Sequence, residues 1–387
     1  MEFLGYRRPY GKTGIRNHVV VMPGVACADV AARKISEATG AAYLQNPHGC
    51  GQTGADSRRS LHILTGLLAN PNVYGALIVG LGCEFIGEDS YRDAVERKSP
   101  GKPIRYICIQ DGSGGIAGTV EKGVLAVNSL IAEAKKCVRV ECDISELIVG
   151  LECGGSDPTS GLSANVVLGE VSDRLIGMGG TAVLSETVEA IGAEHILHER
   201  GATPEIGKAL YDCVRAKDAA FTALGENVRS CNPSPGNIKA GISTLEEKSL
   251  GCIIKGGASP FTALAGYGDP ITARGLVFMD ATAFDAASIL AEAAGGCQLV
   301  IFTTGLGNPI GCAVAPVIKM TGNRETYKKM QDMIDFESGG TITGEKSIAR
   351  SADELMELIL RVCSGELVKS EINGANFTSI DQYNMQA

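Results

Sequence analysis

The stretch LECGGSDPTSGLSAN, residues 151–165, closes an apolar run with Glu152, Cys153, Ser156 and Asp157 around two glycines. A tight turn needs the glycines, which reach positive φ without steric cost. It does not need a thiol, a hydroxyl and two carboxylates. Two more glycine turns carry a cysteine, Cys50 in NPHGCGQTG and Cys83 in GLGCE. A thiolate beside such a turn can ligate a soft or borderline metal, and His48 and Glu84 add an imidazole and a carboxylate next to two of the thiols. Spacing alone also allows three unrelated cysteines buried at tight turns.

Other candidates lie further along. VLSETVEAIGAEHILHER (183–200) ends a strand-like run on Glu186, and a helix over 188–199 sets Glu194 and His198 on one face and His195 on another. A solvated helix face with a structural histidine fits that pattern too. The polar, glycine-rich segment 230–257 holds Lys248 and Lys255, which are cations for a carboxylate, or bases if burial depresses their pKa. QDGSGGIAGTVEKG lacks the G-x-G-x-x-G spacing of a dinucleotide site, and no Walker lysine follows.

These residues must be positioned by something, and the pattern around them alternates short β-branched runs with longer helical periods. Residues 17–24, 74–82 and 103–112 read as buried strands, with helical spacing between them and over 118–137. After a charged connector (134–146), strands are expected at 147–153, 181–186, 274–280 and 297–305, and helices at 204–224 and 352–363. The β-like CII (252–254) reads as a strand bounding the 230–257 segment. This grammar predicts an α/β fold of two α/β domains with mainly parallel sheets, the second Rossmann-like, divided as 1–145 and 146–387. Cys83, Asp111, Cys153, Glu186, Asp280 and Thr303 all fall at predicted carboxyl ends of strands, where open α/β sheets bind ligands.

Composition narrows the classes. A net charge of −9, no Trp and 5% aromatics argue against nucleic acid and anionic membranes. There is no signal-like apolar segment and no apolar run near 18 residues, so the expectation is a cytoplasmic chain. The thirteen cysteines are odd in number and include no C-x-x-C, which argues against a disulfide framework or a zinc ribbon. Cys108, Cys213, Cys252, Cys297 and Cys363 sit in apolar or helical patterns and read as small core residues.

Eight motifs occur in one order: GYRRPYGKTGIRNHVVV, HGCGQ, GLGCE, ECGGSDPTSGLSAN, GGTAVLSETVEAIGAEHIL, NPSPGNIKAGISTLEEKSLG, FTTGLGNPIGC and SGELVKSE. Together, from about Gly5 to Lys369, they resemble the altronate/galactarate dehydratase family, which also includes the large subunit of sulfolactate sulfo-lyase. The resemblance implies an iron-dependent lyase acting on small hydroxy acids. It also implies an SAF-type domain, fused in some members and a separate small subunit in others. Met1 is followed within five residues by the GYRRP motif, so a small SAF-type partner subunit is expected. NIKAG departs from the family's NKAGG by Ile238, which weakens the carry-over onto Lys239.

Within those motifs, the expected catalytic residues are Lys248, Lys255, Glu186 and His195. Substrate contacts are expected from Arg16, Asn17, Ser156, Asp157, Asn165, Asn232, Ser234, Asn237 and Thr303. Iron, as Fe2+ or as an iron–sulfur cluster, is expected near Cys50, Cys83 and Cys153, with His48 and Glu84 beside them. The α-proton of a carboxylate is very weakly acidic and hydroxide leaves poorly, so a base and a Lewis acid together suit the reaction. Sulfite elimination is the alternative; its dianionic substrate would want extra cations such as Arg7, Arg8, Arg16 or Lys319. A non-catalytic acid-sugar binding subunit is the third reading. An oligomer is expected.

Overall fold

The structure is a computed structural model and describes residues 1–112 and 114–383. The chain begins with β1 (Glu2–Arg7), β2 (Thr13–Gly14), β3 (His18–Pro23), α1 (Asp29–Thr39), β4 (Ala42–Tyr43), α2 (Gly54–Ala69), β5 (Val73–Gly80), α3 (Glu88–Lys98), β6 (Ile104–Cys108) and α4 (Gly115–Ala134). It continues through β7 (Val140–Asp143), β8 (Ile148–Cys153), α5 (Asn165–Gly177), β9 (Thr181–Leu184), α6 (Glu194–Glu199), α7 (Pro204–Ala223), α8 (Pro235–Ala240) and α9 (Leu245–Ile253). The last elements are β10 (Phe261–Ala265), β11 (Gly275–Met279), α10 (Asp285–Gly295), β12 (Leu299–Thr303), β13 (Val317–Thr321), α11 (Arg324–Lys329), β14 (Phe336–Glu337), α12 (Ile348–Cys363) and α13 (Lys369–Ile372).

Two parallel sheets organise the molecule. The first has four strands in the order β4-β3-β5-β6, the second seven in the order β10-β11-β9-β8-β12-β13-β14. Both are doubly wound. Their central strands read as nearly continuous apolar runs, VVVM in β3 and LVIF in β12, because helices cover both faces. In the first sheet the β3–β5 pair is the switch point, with β4 reached on one side and β5 on the other. In the second it is the β8–β12 pair, where Cys153 lies opposite Thr303.

One apolar cluster runs across both sheets, joining Val20, Met22 and Leu67 to Ile289, Val300 and Phe302. Gly66 of α2 lies against Ala294 of α10, where a Cβ would come within 2.7 Å of the Ala294 carbonyl oxygen. Asn70 and Asn72 close the same seam by donating to the carbonyls of Ala293, Cys297 and Gln298. The amino edges of the two sheets are therefore neighbours, and α2 and α10 both run toward that seam from a carboxyl edge.

Three expectations are corrected. The charged connector contains β7, which pairs antiparallel with β1 from Glu2↔Asp143 to Gly5↔Val140. The pairing is long-range and one face of β7 is exposed, so the segment reads locally as a linker. The CII run ends α9 instead of forming a strand, because Leu245, Ser249, Cys252 and Ile253 bury one helical face. The 188–199 helix is broken: a 3-10 turn covers Thr187–Ala190, Gly192 takes φ +89°, and α6 starts at Glu194.

Candidate active site

The turn after β8 cannot be built with other residues at its start. A Cβ on Gly154 would overlap the Asp285 carboxylate, and Gly155 has φ +60°. Asp157 then caps the helical stretch that follows. Its Oδ1 accepts from the Thr159 and Ser160 backbone N–H groups at 2.9 and 3.2 Å, and Oδ2 accepts from Asn323 Nδ2 at 2.8 Å. Asn237, held by the Ser234 cap of α8, donates to the Ser156 carbonyl at 2.9 Å. Asn165 accepts from Thr303 Oγ1 at 2.6 Å and donates to the Gly251 carbonyl at 2.8 Å. Six of the expected substrate contacts, Ser156, Asp157, Asn165, Ser234, Asn237 and Thr303, thus tie β8, β12, α5, α8 and α9 together around one opening. That opening is a pocket of about 200 Å³, lined by Cys153, Ser156, Asp157, Asn165, Lys248 and Cys252 among others.

Beneath the pocket lies a buried network of acids, lysines and thiols. Glu186 is the one non-glycine residue with positive φ (69°) among the described residues. Its Oε2 accepts from Lys255 Nζ and from the Cys153 N–H, and both Glu186 and Lys255 are 0% exposed. Lys248 Nζ donates to Glu189 Oε1 at 2.5 Å and to Asn232 Oδ1 at 3.0 Å. Cys153 Sγ lies 3.5 Å from Glu189 Oε2 and 3.8 Å from Cys252 Sγ. On the opposite face of the strand, Ser185 and Ser288 hydroxyls reach Glu152 Oε2 at 3.0 and 2.8 Å, and Ser185 also reaches Glu292.

The titration directions follow from this packing. The hydrogen bond to Cys252 and burial push the Cys153 thiol well up. Burial also raises Glu186, Glu152 and, to about 8, Glu292. Burial opposes the charge on both lysines, but Glu189 outweighs it at Lys248, and Cys153, Cys252 and Glu186 outweigh it at Lys255, so both are held above the usual lysine range. That direction favours the protonated form of both. Among the lysines that interact with this network Lys319 is depressed, brought by burial to about 7; its Nζ has no hydrogen-bond partner and sits 3.8 Å from the Phe302 ring centre.

Cys153, Cys252, Glu186 and Glu189 each offer one ligand atom, all within 4.8 Å of one another. This buried group could hold a metal ion, since each carboxylate keeps one oxygen away from its lysine. Two lysines already balance the two carboxylates, however, so an ion would have to displace both thiol protons.

Other expected site residues lie elsewhere. All five N–H donors of Arg16 are taken, by Glu371 and by the carbonyls of Ile15, Val362 and Glu366, so none is left for a substrate. Asn17 accepts from Arg8 and donates to the Ala134 carbonyl. His195 is exposed on α6 and does not line the pocket. Cys50 and Cys83 are exposed on turns of the first sheet, and Cys153 is buried in the second. His48 is half-buried, and burial lowers its pKa. Burial raises Glu84, but hydrogen bonds from Tyr106 and the Gly82 N–H outweigh it and leave the carboxyl lowered. Cys252, Glu189, Asp285 and Glu152 join the site without having been expected there. For Asp285 the available signal was its position just after β11, at the start of a helix.

Comparison with known proteins agrees with this architecture. Residues 144–385 match the model of the D-galactarate/altronate dehydratase C-terminal region, and residues 5–135 match the D-galactarate dehydratase/altronate hydrolase second domain. The chain is 36% identical to altronate dehydratase of Bacillus subtilis strain 168 over 382 residues, covering 96% of this chain and 76% of that protein. It is 34% identical to the (2R)-sulfolactate sulfo-lyase subunit beta of Chromohalobacter salexigens, covering 96% and 95%. With the galactarate dehydratase (L-threo-forming) of Escherichia coli K12 the identity is 34%, over 80% of this chain and 59% of that protein. The protein has the sequence and fold of a lyase. The chain belongs to the D-galactarate/altronate dehydratase family. No helix among the described residues is long and apolar enough to cross a membrane.

Proposed function

We propose that the protein is the large subunit of an iron-dependent lyase that dehydrates a small sugar acid of the altronate or galactarate type. The observation that carries this reading is the linked network of Lys248, Cys153, Glu186 and Lys255 at the β8–β12 switch point, of which Cys153 and Lys248 line the pocket and Glu186 and Lys255 lie buried beneath it. In the reaction the α-proton passes to a base, its electron pair forms the C=C bond, and the C–O bond breaks with loss of hydroxide, which leaves as water. Lys248, held protonated, grips the substrate carboxylate or protonates the departing oxygen. Glu186 is the proposed base, because a carboxylate whose pKa burial has raised holds a proton better at neutral pH. Cys153 lines the pocket with its sulfur 3.9 Å from Glu186 Oε1. Lys255 keeps Glu186 in place. Iron, when bound, supplies Lewis acidity toward the departing oxygen. Two donor sets offer it ligands, the buried Cys153 group and the exposed thiols of the first sheet.

Sulfite elimination is the second reading, supported by the 95% coverage of the sulfo-lyase subunit beta. That relative's name also supports a separate small partner subunit, which we propose is SAF-type. We divide the chain near residue 145, into 1–145 and 146–387, because each span builds its own parallel sheet. The thirteen cysteines are odd in number and include no C-x-x-C, which suits a reducing cytoplasm. Turnover of altronate, galactarate and sulfolactate, with and without iron and a candidate small subunit, tests the reading. Formation of a 2-keto acid and its loss in Lys248→Met are expected; sulfite release selects the second reading, and no turnover on any of them rejects both.

A further inference from the structure

The carboxyl edge of the first sheet carries three thiols that no packing role explains. Cys27 follows β3, Cys50 follows β4 and Cys83 follows β5, and all three are exposed. Free cysteine is among the most buried residue types. Six other cysteines of this chain are buried, and three of its four exposed ones lie on this single edge.

The topology gathers them. β3 is central, with β4 on one side and β5 on the other. Adjacent strands lie about 4.8 Å apart, so three successive strand ends span roughly 10 Å. Helix α1 packs on one face of the sheet and α2 on the other, which makes the β3–β5 ends the crevice of a doubly wound fold.

The turns are pressed against one another. Gly49 has φ +108° and a Cβ there would lie 2.8 Å from Val25 Cα, so the Cys50 loop rests on the Cys27 turn. The Ala26 N–H donates to the His48 carbonyl at 2.7 Å, and Asn46 and Tyr91 both donate to the Gly24 carbonyl. Glu84 folds back onto the Leu81 and Gly82 N–H groups at 3.1 and 2.6 Å and fixes the Cys83 turn. These contacts hold the backbone and leave the sulfurs open.

Among the described residues, these sulfurs are not part of a group lying within 4.8 Å of one another, as the Cys153 group is. A single ion with bonds of about 2.3 Å would need them closer than about 4.6 Å. A cluster distributes its thiolates over separate irons and accepts wider spacing.

We propose that Cys27, Cys50 and Cys83 bind a four-iron iron–sulfur cluster with three protein thiolates, leaving one iron without a protein ligand and available to substrate oxygens. The proposal deepens the iron-dependent reading above and rests on it for the choice of metal. It replaces Cys153 by Cys27 in the ligand set expected from sequence. Helices α2 and α10 run side by side in the same direction, since Tyr267 meets both Arg59 and Ala287 and Gly66 lies against Ala294, so the two carboxyl edges open to the same side.

The test uses the whole chain, purified without oxygen or reconstituted anaerobically with ferrous iron and sulfide. Iron and acid-labile sulfide per chain, visible absorption and the electron paramagnetic resonance spectrum after reduction are read. About four irons and four sulfides are expected. Each of Cys27→Ala, Cys50→Ala and Cys83→Ala should lower both contents more than fivefold with an unchanged melting midpoint, whereas Cys153→Ala and Cys252→Ala keep them. Iron without sulfide, no bound iron, or a cluster that survives Cys27→Ala overturns the proposal. Turnover by a sulfide-free protein would sink the cluster and leave the lyase reading standing. A full cluster with no turnover on any hydroxy acid would do the reverse.

Discussion

The two carboxyl edges of this molecule answer the same topology in opposite ways. At the β8–β12 switch point the polar side chains are buried and satisfy one another: Lys255 with Glu186, Lys248 with Glu189, and the serines with Glu152 and Glu292. At the β3–β5 switch point the thiols are open, and only the backbone beneath them is braced. A buried polar group must find its partner within the protein, because leaving it unpaired costs about 1–3 kcal/mol or more. An exposed group meets no such demand and stays free for a ligand. The first edge is thus a preorganised charge network and the second an open donor set.

Breaking the network should have the largest effect. Lys255→Met leaves Glu186 without its cation at 0% exposure, and a loss of about 3–5 kcal/mol of stability is expected in denaturant unfolding. A loss below about 1 kcal/mol would mean that the pair is not what holds this edge together.

Lys319 should move the other way. Its unpartnered, buried Nζ makes Lys319→Met stabilising by about 1–3 kcal/mol near neutral pH. The sign follows from linkage: the folded pKa is about 7, below the unfolded value, so between pH 7 and about 10 the unfolded chain holds more protons and stability rises with pH. Thermal melts of Lys319→Met across that range should show a flatter profile than the parent protein.

On the open edge the effects shrink. Thr53, whose side chain accepts from the Asp56 N–H and caps α2 just after the Cys50 turn, should cost about 1 kcal/mol as Thr53→Ala. Cys83→Ala should stay within about 0.5 kcal/mol of the parent in the absence of iron. A larger penalty there would show that the exposed thiol is structural after all, and the contrast between the edges would blur.

The alternation of apolar runs with helical periods was enough to locate the strands β3, β5, β6, β8, β9, β11 and β12, because each is a short apolar-rich run and all but the half-buried edge strand β6 are covered by helices on both sides. The strands it missed are pieces whose partners lie far away in sequence: β1 and β7 meet across more than a hundred residues, and β10, β13 and β14 sit toward sheet edges. Cys153, Glu186, Lys248 and Lys255 were legible because they end strands or crowd a glycine-rich segment, positions where packing does not call for them. Arg16 was misread because nothing local shows that Glu371 and three carbonyls consume all its donors.

Residue order alone thus determined the doubly wound α/β plan and the strand ends on which chemistry would fall, since both follow from local periodicity and turn residues. Which thiols are neighbours was decided only by the tertiary structure. Sheet order put Cys27 between Cys50 and Cys83, and the helical turn of α9 brought Cys252 to 3.8 Å from Cys153. The pKa of each lysine was decided there too, because it depends on whether folding offsets burial with a hydrogen-bonded carboxylate, as at Lys255, or leaves the buried ammonium without one, as at Lys319.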